Sequence, residues 1–297
     1  MFKNVLVGVD GRLGGRDAIA LAGRLAEQGA TVTLAHVYTG TFTFMAAVDP
    51  GVAEEDRREA LQMLEGERER AGIEASLAAV QALTPGQGLH ELAEEREADL
   101  LVLGTSHRGV FGRTVLGNDT RAAINGAPCA IAVAPAGYAE QGGPFATIGV
   151  GYDGSTESVA ALEAARALAA PTGAKIRALE IVSYPTYIFT GIVPPVGEGI
   201  EELVEHADKS MKALPGVEGH AEYGLSGQDL AEFSKEVDLL IVGSRNYGPA
   251  RRLIVGSTAG FLQSHARSPL LVLPRGTSHA TPKVAFGETA SAAAGDA

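Results

Sequence analysis

The 297 residues contain no tryptophan, a single cysteine and only 5% aromatic residues. Cys129 stands alone, so no intramolecular disulfide can form and no C-x-x-C motif exists, which fits a reducing compartment. No apolar run reaches the length of a membrane span, and the opening "MFKNVLVGVDG" passes directly into a strand pattern without an apolar leader or a small-residue cleavage site. The expected location is therefore the cytoplasm. Positive charge is scarce as well: 24 Lys and Arg face 36 Asp and Glu, and the net charge of −12 repels a polyanion. The basic residues form no cluster, so nucleic acid is excluded as a partner. Also missing are H-E-x-x-H, the G-x-S-x-G elbow and a Walker lysine, so no residue is assigned a catalytic role.

What the chain does have is enough length for two cores and a pattern written twice. When "NVLVGVDGRLGGRDAIALAGRLAEQGATVTLAHV" is set above "TIGVGYDGSTESVAALEAARALAAPTGAKIRALEIV", Asp10-Gly11 falls on Asp153-Gly154, an offset of 143. Further on, "DLLVLG" (99–104) falls on "DLLIVG" (238–243) and Gly117 on Gly256, at an offset of 139. A period of this size exceeds any solenoid repeat and marks the duplication of a whole domain.

Each copy alternates strand and helix. Residues 3–9 form a short β-branched run, Ala18, Leu21, Ala22 and Leu25 follow at helical spacing, and "ATVTLAHV" reads as a second strand. A charged helix is expected over about 54–71, with its counterpart carrying Ile200, Leu203, Val204, Ala207, Met211 and Leu214 on one face. Strands near 74–82 and 99–104 flank a helix at "GLHELAEEREA", and "APCAIAVAP" and "SPLLVLP" supply a fifth strand to each copy. Near-continuous apolar strands alternating with helices predict parallel sheets covered on both faces. The expected units are residues 1–137 and 145–275, joined by a glycine-rich linker at about 136–146 and followed by a small, polar, disordered tail over 276–297. The connections 38–53 and 183–199 hold aromatics and prolines together and follow strand two, where a loop can line a ligand crevice or cover the core.

Two glycine-rich stretches share a skeleton, "GTSHRGVFGRTVLGND" (104–119) and "GSRNYGPARRLIVGST" (243–258). In the second, Gly256-Ser257 stands where the last helix should begin, with Ser257 as its N-cap, and a helix start offers unpaired N–H groups to an anion. Arg245, Arg251 and Arg252 could add charge-assisted bonds, and plain turns are the competing explanation. "GVGYDG" (149–154) matches G-x-G-x-x-G, with Glu180 as an imitation of an acidic ribose partner, but the repeat places Gly149 and Gly151 inside strand one rather than in the turn after it, against a dinucleotide site. His36 reads as a satisfied half-buried histidine, the scattered His90, His206 and His220 suggest no metal site, and Cys129 reads as a small core residue.

With the strand-end Asp10-Gly11 and Asp153-Gly154-Ser155 and the closing "APCAIAVAP", these stretches make the chain resemble the universal stress protein family in its tandem form, over about residues 1–275. ATP-binding members of that family carry G-x2-G-x9-G-(S/T). Both copies keep its length, with Gly104, His107 and Gly117-Asn118 in one and Gly243, Asn246 and Gly256-Ser257 in the other, and both lack the second glycine. The resemblance implies α/β architecture: two doubly wound domains, each a five-stranded parallel sheet of order 3-2-1-4-5 with helices on both faces. It implies ATP as the ligand, with a divalent cation as its companion, bound as part of a regulatory or sensing role; any hydrolysis is expected to be slow. Adenine contacts would fall at Asp10 and Val37 or at Asp153 and Ile181, with Gly154 and Ser155 also in the nucleotide site. Phosphates would meet Gly104, His107 and Gly117 or Gly243, Ser244, Arg245, Asn246, Gly256, Ser257 and Thr258. Domain 2 is expected to bind better, because Asn118-Asp119 places a carboxylate where domain 1 should receive phosphate. The alternative is a nucleotide-independent interaction protein whose domains form a pseudo-dimer. Apolar fifth strands at the sheet edges favour pairing between the domains and a homodimer as a further possibility.

Overall fold

Val5 and Val7 project into one apolar cluster and Leu6 into another, and Leu100 and Val102 divide from Leu101 and Leu103 in the same way. That period of two, apolar on both sides, is what a strand needs when helices cover both faces of its sheet. The computed structural model describes residues 2–38, 50–105, 107–108, 114–115, 118–141, 143–183, 198–244, 253 and 256–274. Most of the two long connections after strand two, together with Gly117, Arg245, Asn246 and the expected tail, lie outside the described residues.

The first half runs β1 (Phe2–Gly8), α1 (Leu13–Leu25), β2 (Ala26–Tyr38), α2 (Pro50–Ala71), β3 (Ser76–Gln81), α3 (Pro85–Glu95) and β4 (Leu100–Gly104). A two-residue antiparallel ladder of β5 (His107–Arg108) and β6 (Thr114–Val115) precedes α4 (Asn118–Ile124) and β7 (Ala130–Ala134). The second half repeats the plan: β8 (Thr147–Gly151), α5 (Thr156–Ala169), β9 (Lys175–Val182), α6 (Glu198–Lys212), β10 (Glu218–Tyr223), α7 (Ser226–Phe233), β11 (Leu239–Gly243), α8 (Ser257–His265) and β12 (Leu270–Leu273).

The strands order as β3-β2-β1-β4-β7 and β10-β9-β8-β11-β12, which is the expected 3-2-1-4-5, and within each half all pairs are parallel. β12 lies antiparallel beside β7, with Leu270 opposite Val133 and Leu271 opposite Ala132, so ten strands form one sheet. Leu21 and Leu25 of α1, Leu64 of α2 and Met211 of α6 close one face; Leu89 of α3, Ile124 of α4, Leu230 of α7 and Leu262 of α8 close the other. Local signals start several helices. Thr84 caps α3 by accepting the Gln87 N–H at 3.2 Å ahead of Pro85, and Ser155 caps α5 through the Ser158 N–H at 3.2 Å.

The linker departs from the glycine-rich spacer expected of it. Tyr138 is buried, Arg24 lies 4.5 Å from its ring centroid, and the guanidinium donates to its hydroxyl at 2.6 Å. Asp17, buried on α1, accepts the N–H groups of Gly137 and Ala139 at 2.9 and 2.7 Å. One aromatic anchor and one buried carboxylate thus fasten a segment whose composition alone reads as solvated. A second tie comes from Leu253, fully buried, whose N–H donates to the Ala127 carbonyl while its carbonyl accepts from Gly126.

Candidate functional site

Strand one of each half ends in an aspartate that organises its own turn. Asp10 Oδ1 accepts the Arg12 N–H at 3.1 Å and Asp153 Oδ1 the Ser155 N–H at 3.1 Å, while Gly11 and Gly154 both take a φ of 72° in the left-handed region. The following helix then starts over the carboxyl end of strand four. That approach is close: a Cβ on Gly104 would collide with the Gly14 carbonyl, and one on Gly243 would lie 2.6 Å from Glu157 Cβ. Glycine at the end of strand four is thus required in both halves by packing, before any ligand is considered.

At the carboxyl ends of the strands each half opens into a crevice, the place where ligands enter doubly wound sheets. In domain 1 a cavity of about 250 Å³ is lined by Asp10, Val37 and Gly104, three of the expected residues, together with Arg12, Gly14, Gly15, His36 and Thr120. His36 Nδ1 lies 2.7 Å from the Val9 carbonyl, so the ring is held and its role in the wall is fixed by that bond. The β5 ladder holds the backbone of His107, and Asn118 opens α4.

In domain 2 the cavity shrinks to about 90 Å³. Asp153, Ser155, Ile181, Gly243, Gly256 and Thr258 line it as expected, with Glu157 and Ser158 among them. Gly154 shapes the turn without lining the cavity. Ser244 is buried and spends its N–H on the Leu273 carbonyl at 2.9 Å, extending the β11–β12 ladder. Ser257 is not the N-cap: Gly256 holds that position with extended backbone at φ −65° and ψ 167°, and Ser257 is the exposed first residue of the helix. The shift by one residue leaves the start of α8 without a side-chain cap.

The two walls differ where the repeat differs. Gly14 and Gly15 align with Glu157 and Ser158. In domain 1 both glycines border the cavity and are closely packed: a Cβ on Gly14 would lie 2.8 Å from the Thr105 carbonyl oxygen, and one on Gly15 would lie 3.2 Å from the Asp10 nitrogen. In domain 2, Ser158 fills its place and its hydroxyl accepts the Asp153 N–H at 3.3 Å, while Glu157 brings a second carboxylate to the wall. A third acts from β9, where burial raises the Glu180 pKa above 4.5 and the neighbouring Asp153 charge raises it further, against a smaller lowering by His206. No lysine or arginine lines this cavity among the described residues, whereas Arg12 lines the first. Glu157, Gly14 and Arg12 were not among the expected site residues; the signal for them was the mismatch "GRLGG" against "GSTES" inside an otherwise matched repeat. Away from both crevices, burial pushes the Cys129 thiol up to about 12, consistent with a core residue. Among the described residues no group of three His, Cys, Asp or Glu could hold a metal ion, and no helix is long and apolar enough to cross a membrane.

Comparison with known proteins matches this duplicated architecture. Among curated relatives, the universal stress protein Rv2005c of Mycobacterium tuberculosis is 27% identical over 286 residues, covering 90% of this chain and 96% of its own. The solved structure of a universal stress protein from Archaeoglobus fulgidus has a TM-score of 0.62 at 16% identity, covering 92% of this chain and 98% of that one. The protein PA1789 from Pseudomonas aeruginosa, described as functionally unknown, reaches 0.60 at 17% identity, with 92% of each chain covered. At these identities the two structures speak to the fold. The model of the universal stress protein family matches residues 1–135 and again 144–274. The chain belongs to the universal stress protein family and carries the family's unit twice.

Proposed function

We propose that this stress-response protein binds an adenine nucleotide, ATP, as a regulatory module, and that the crevice of domain 1 is its principal site. The carrying observation is the cavity of about 250 Å³ bounded by Asp10, Val37 and Gly104, against about 90 Å³ in domain 2. The sequence favours domain 2 because domain 1 has Asn118-Asp119 where domain 2 keeps Gly256-Ser257; the choice of domain 1 rests on the walls. There Gly14 and Gly15 bring no carboxylate to the wall beside the strand-end aspartate, and Arg12 offsets Asp10 at the opening. Among the described lining residues, Arg12 is the cation that a phosphate would meet at this opening. In domain 2 a polyphosphate would approach Asp153 and Glu157 together, with like charges raising the cost of entry.

The test is calorimetric titration of the full chain with ATP, with and without magnesium. One ATP per chain is expected, weakened at least tenfold by Arg12→Glu, which reverses the charge of an exposed residue at the opening of domain 1, and retained by Gly256→Asp. Loss in Gly256→Asp with retention in Arg12→Glu would move the site to domain 2. Absence of binding in the unsubstituted chain would sink the nucleotide reading and favour the interaction protein, for which the shared ten-stranded sheet is the supporting observation.

A further inference from the structure

A third cavity, of about 240 Å³, shares no lining residue with either crevice. It lies at the amino-terminal ends of β8, β11 and β12, the end opposite the domain 2 crevice, and the segment between the domains closes one side. Its walls carry Arg24, Lys235 and Arg267 against one carboxylate, Asp238. On a chain of net charge −12 this is a local inversion of sign.

The groups on the wall differ in how far they are already engaged. Asp238 Oδ2 accepts the N–H groups of Ala146 and Thr147, each at 2.8 Å. Arg24 donates to the Tyr138 hydroxyl and the Gln141 carbonyl, and Lys235 pairs with Glu232 at 2.6 Å on the exposed side. Arg267 is exposed, and among the described residues only its backbone N–H is engaged, by Ser234 Oγ at 2.8 Å. Beside it Ser268 is only 8% exposed, and its buried hydroxyl has no hydrogen-bond partner among the described residues. A buried hydroxyl left unpaired is unfavourable, so it calls for an explanation.

The duplication supplies an internal control. At the offset of 139, Asp238 falls on Asp99, which likewise accepts two N–H groups at the start of strand one, from Lys3 and Asn4, so this aspartate belongs to the shared scaffold. Arg267 falls on Pro128 and Ser268 on Cys129. The unpaired guanidinium and the unpaired hydroxyl are therefore both departures of the second copy, adjacent in sequence and on one cavity.

We propose that this cavity is an anion site that takes a phosphate group, separate from the nucleotide crevices. A guanidinium, an ammonium and a hydroxyl are donors suited to the oxygens of a tetrahedral oxyanion through charge-assisted hydrogen bonds. Water could pair the hydroxyl, but it would leave the Arg267 guanidinium without a protein partner among the described residues.

The full chain is titrated with inorganic phosphate and, separately, with glycerol 3-phosphate, in a phosphate-free buffer, by calorimetry and by phosphorus NMR. One bound phosphate per chain is expected. It should weaken at least tenfold in Arg267→Ala, at an exposed position where folding is safe, and measurably in Ser268→Cys, which keeps the volume and installs the residue of the first copy. Arg12→Glu should leave it intact. Tighter binding of glycerol 3-phosphate assigns an esterified phosphate and tighter binding of the free ion assigns inorganic phosphate, and either supports the site. Failure of both probes to bind at millimolar concentration overturns it. So does unchanged affinity in Arg267→Ala, or loss of binding in Arg12→Glu, which would place the phosphate in the domain 1 crevice.

Discussion

The two crevices are built on one scaffold and have come to differ at the first turn of the helix above them. Both have a strand-end aspartate that folds its own turn, a glycine at φ 72° and a glycine at the end of strand four. One then places Gly14 and Gly15 where the other places Glu157 and Ser158, and the cavity falls from about 250 to about 90 Å³. The lesson is that glycines of both kinds, shared and unshared, are held by packing, while the side chains that replace Gly14 and Gly15 in the second copy change the charge and shape of the wall. A motif search centred on the loops looks at the part of the site that the copies keep in common.

The sharpest way to break the comparison is at the shared glycine. Gly104→Ala would drive a methyl group into the backbone of Gly14, and Gly243→Ala would press one against Glu157 Cβ and its carbonyl, 2.8 Å away. Backbone cannot swing aside as the end of a flexible side chain can. Each substitution should therefore destabilise the chain by about 1–3 kcal/mol, the usual range for forced overpacking. Thermal unfolding of the full chain reads this as a fall in midpoint of several degrees, larger for Gly104→Ala. An unchanged midpoint in both variants would show that the close approach of helix and strand is relaxed in solution.

Smaller, and more informative about function, is Glu157→Gly. It removes a carboxylate and a side chain from the domain 2 wall and recreates the first residue of the Gly14-Gly15 pair. A glycine in the first helical turn costs about 0.5–1 kcal/mol of stability, small enough to leave a folded protein. ATP titration should then show a second site per chain, with affinity at least tenfold above that of domain 2 in the unsubstituted protein. A chain that still binds one ATP after this change would mean that something other than Glu157 closes the second crevice.

Much of this was legible in the sequence, for an identifiable reason. Val5, Leu6 and Val7, like Leu239, Leu240 and Ile241, are apolar on both faces, which only a covered parallel sheet accepts, and the duplicated order of elements fixed the rest. The site was half legible. Asp10, Val37 and Gly104 do meet in one cavity, as do Asp153, Ile181 and Gly256 in the other, because strand ends in this topology converge whatever their side chains. The relative depth of the crevices was not legible, since it depends on a helix first turn packing against strand four, a contact between residues about ninety apart in the chain, such as Gly14 and Gly104. How the linker is anchored was not legible for a similar reason. Its glycines look solvated until Asp17 and Arg24, more than a hundred residues earlier, are seen holding it.

The finest test of the comparison is electrostatic. Glu180, on the strand next to Asp153, is raised above 4.5 first by burial and then by the Asp153 charge, while His206 pulls the other way. A carboxyl raised in the folded state binds its proton more tightly there than in the unfolded chain, so stability is lost as pH rises from about the unfolded value through the folded one. Glu180→Gln removes that titration. Its unfolding midpoint should match the parent at acidic pH and exceed it slightly once Glu180 is ionised, by less than either glycine substitution costs. Domain 1 has Ala35 or His36 near the corresponding point of strand two and no equivalent carboxylate there, so Asp10→Asn should not reproduce the pH-dependent gap. Adding Asp153→Asn to Glu180→Gln should yield little further gain, because the repulsion is a property of the pair. If the midpoints of the parent and Glu180→Gln ran parallel across the pH range, burial of Glu180 and its repulsion from Asp153 would carry no energetic weight in the folded chain.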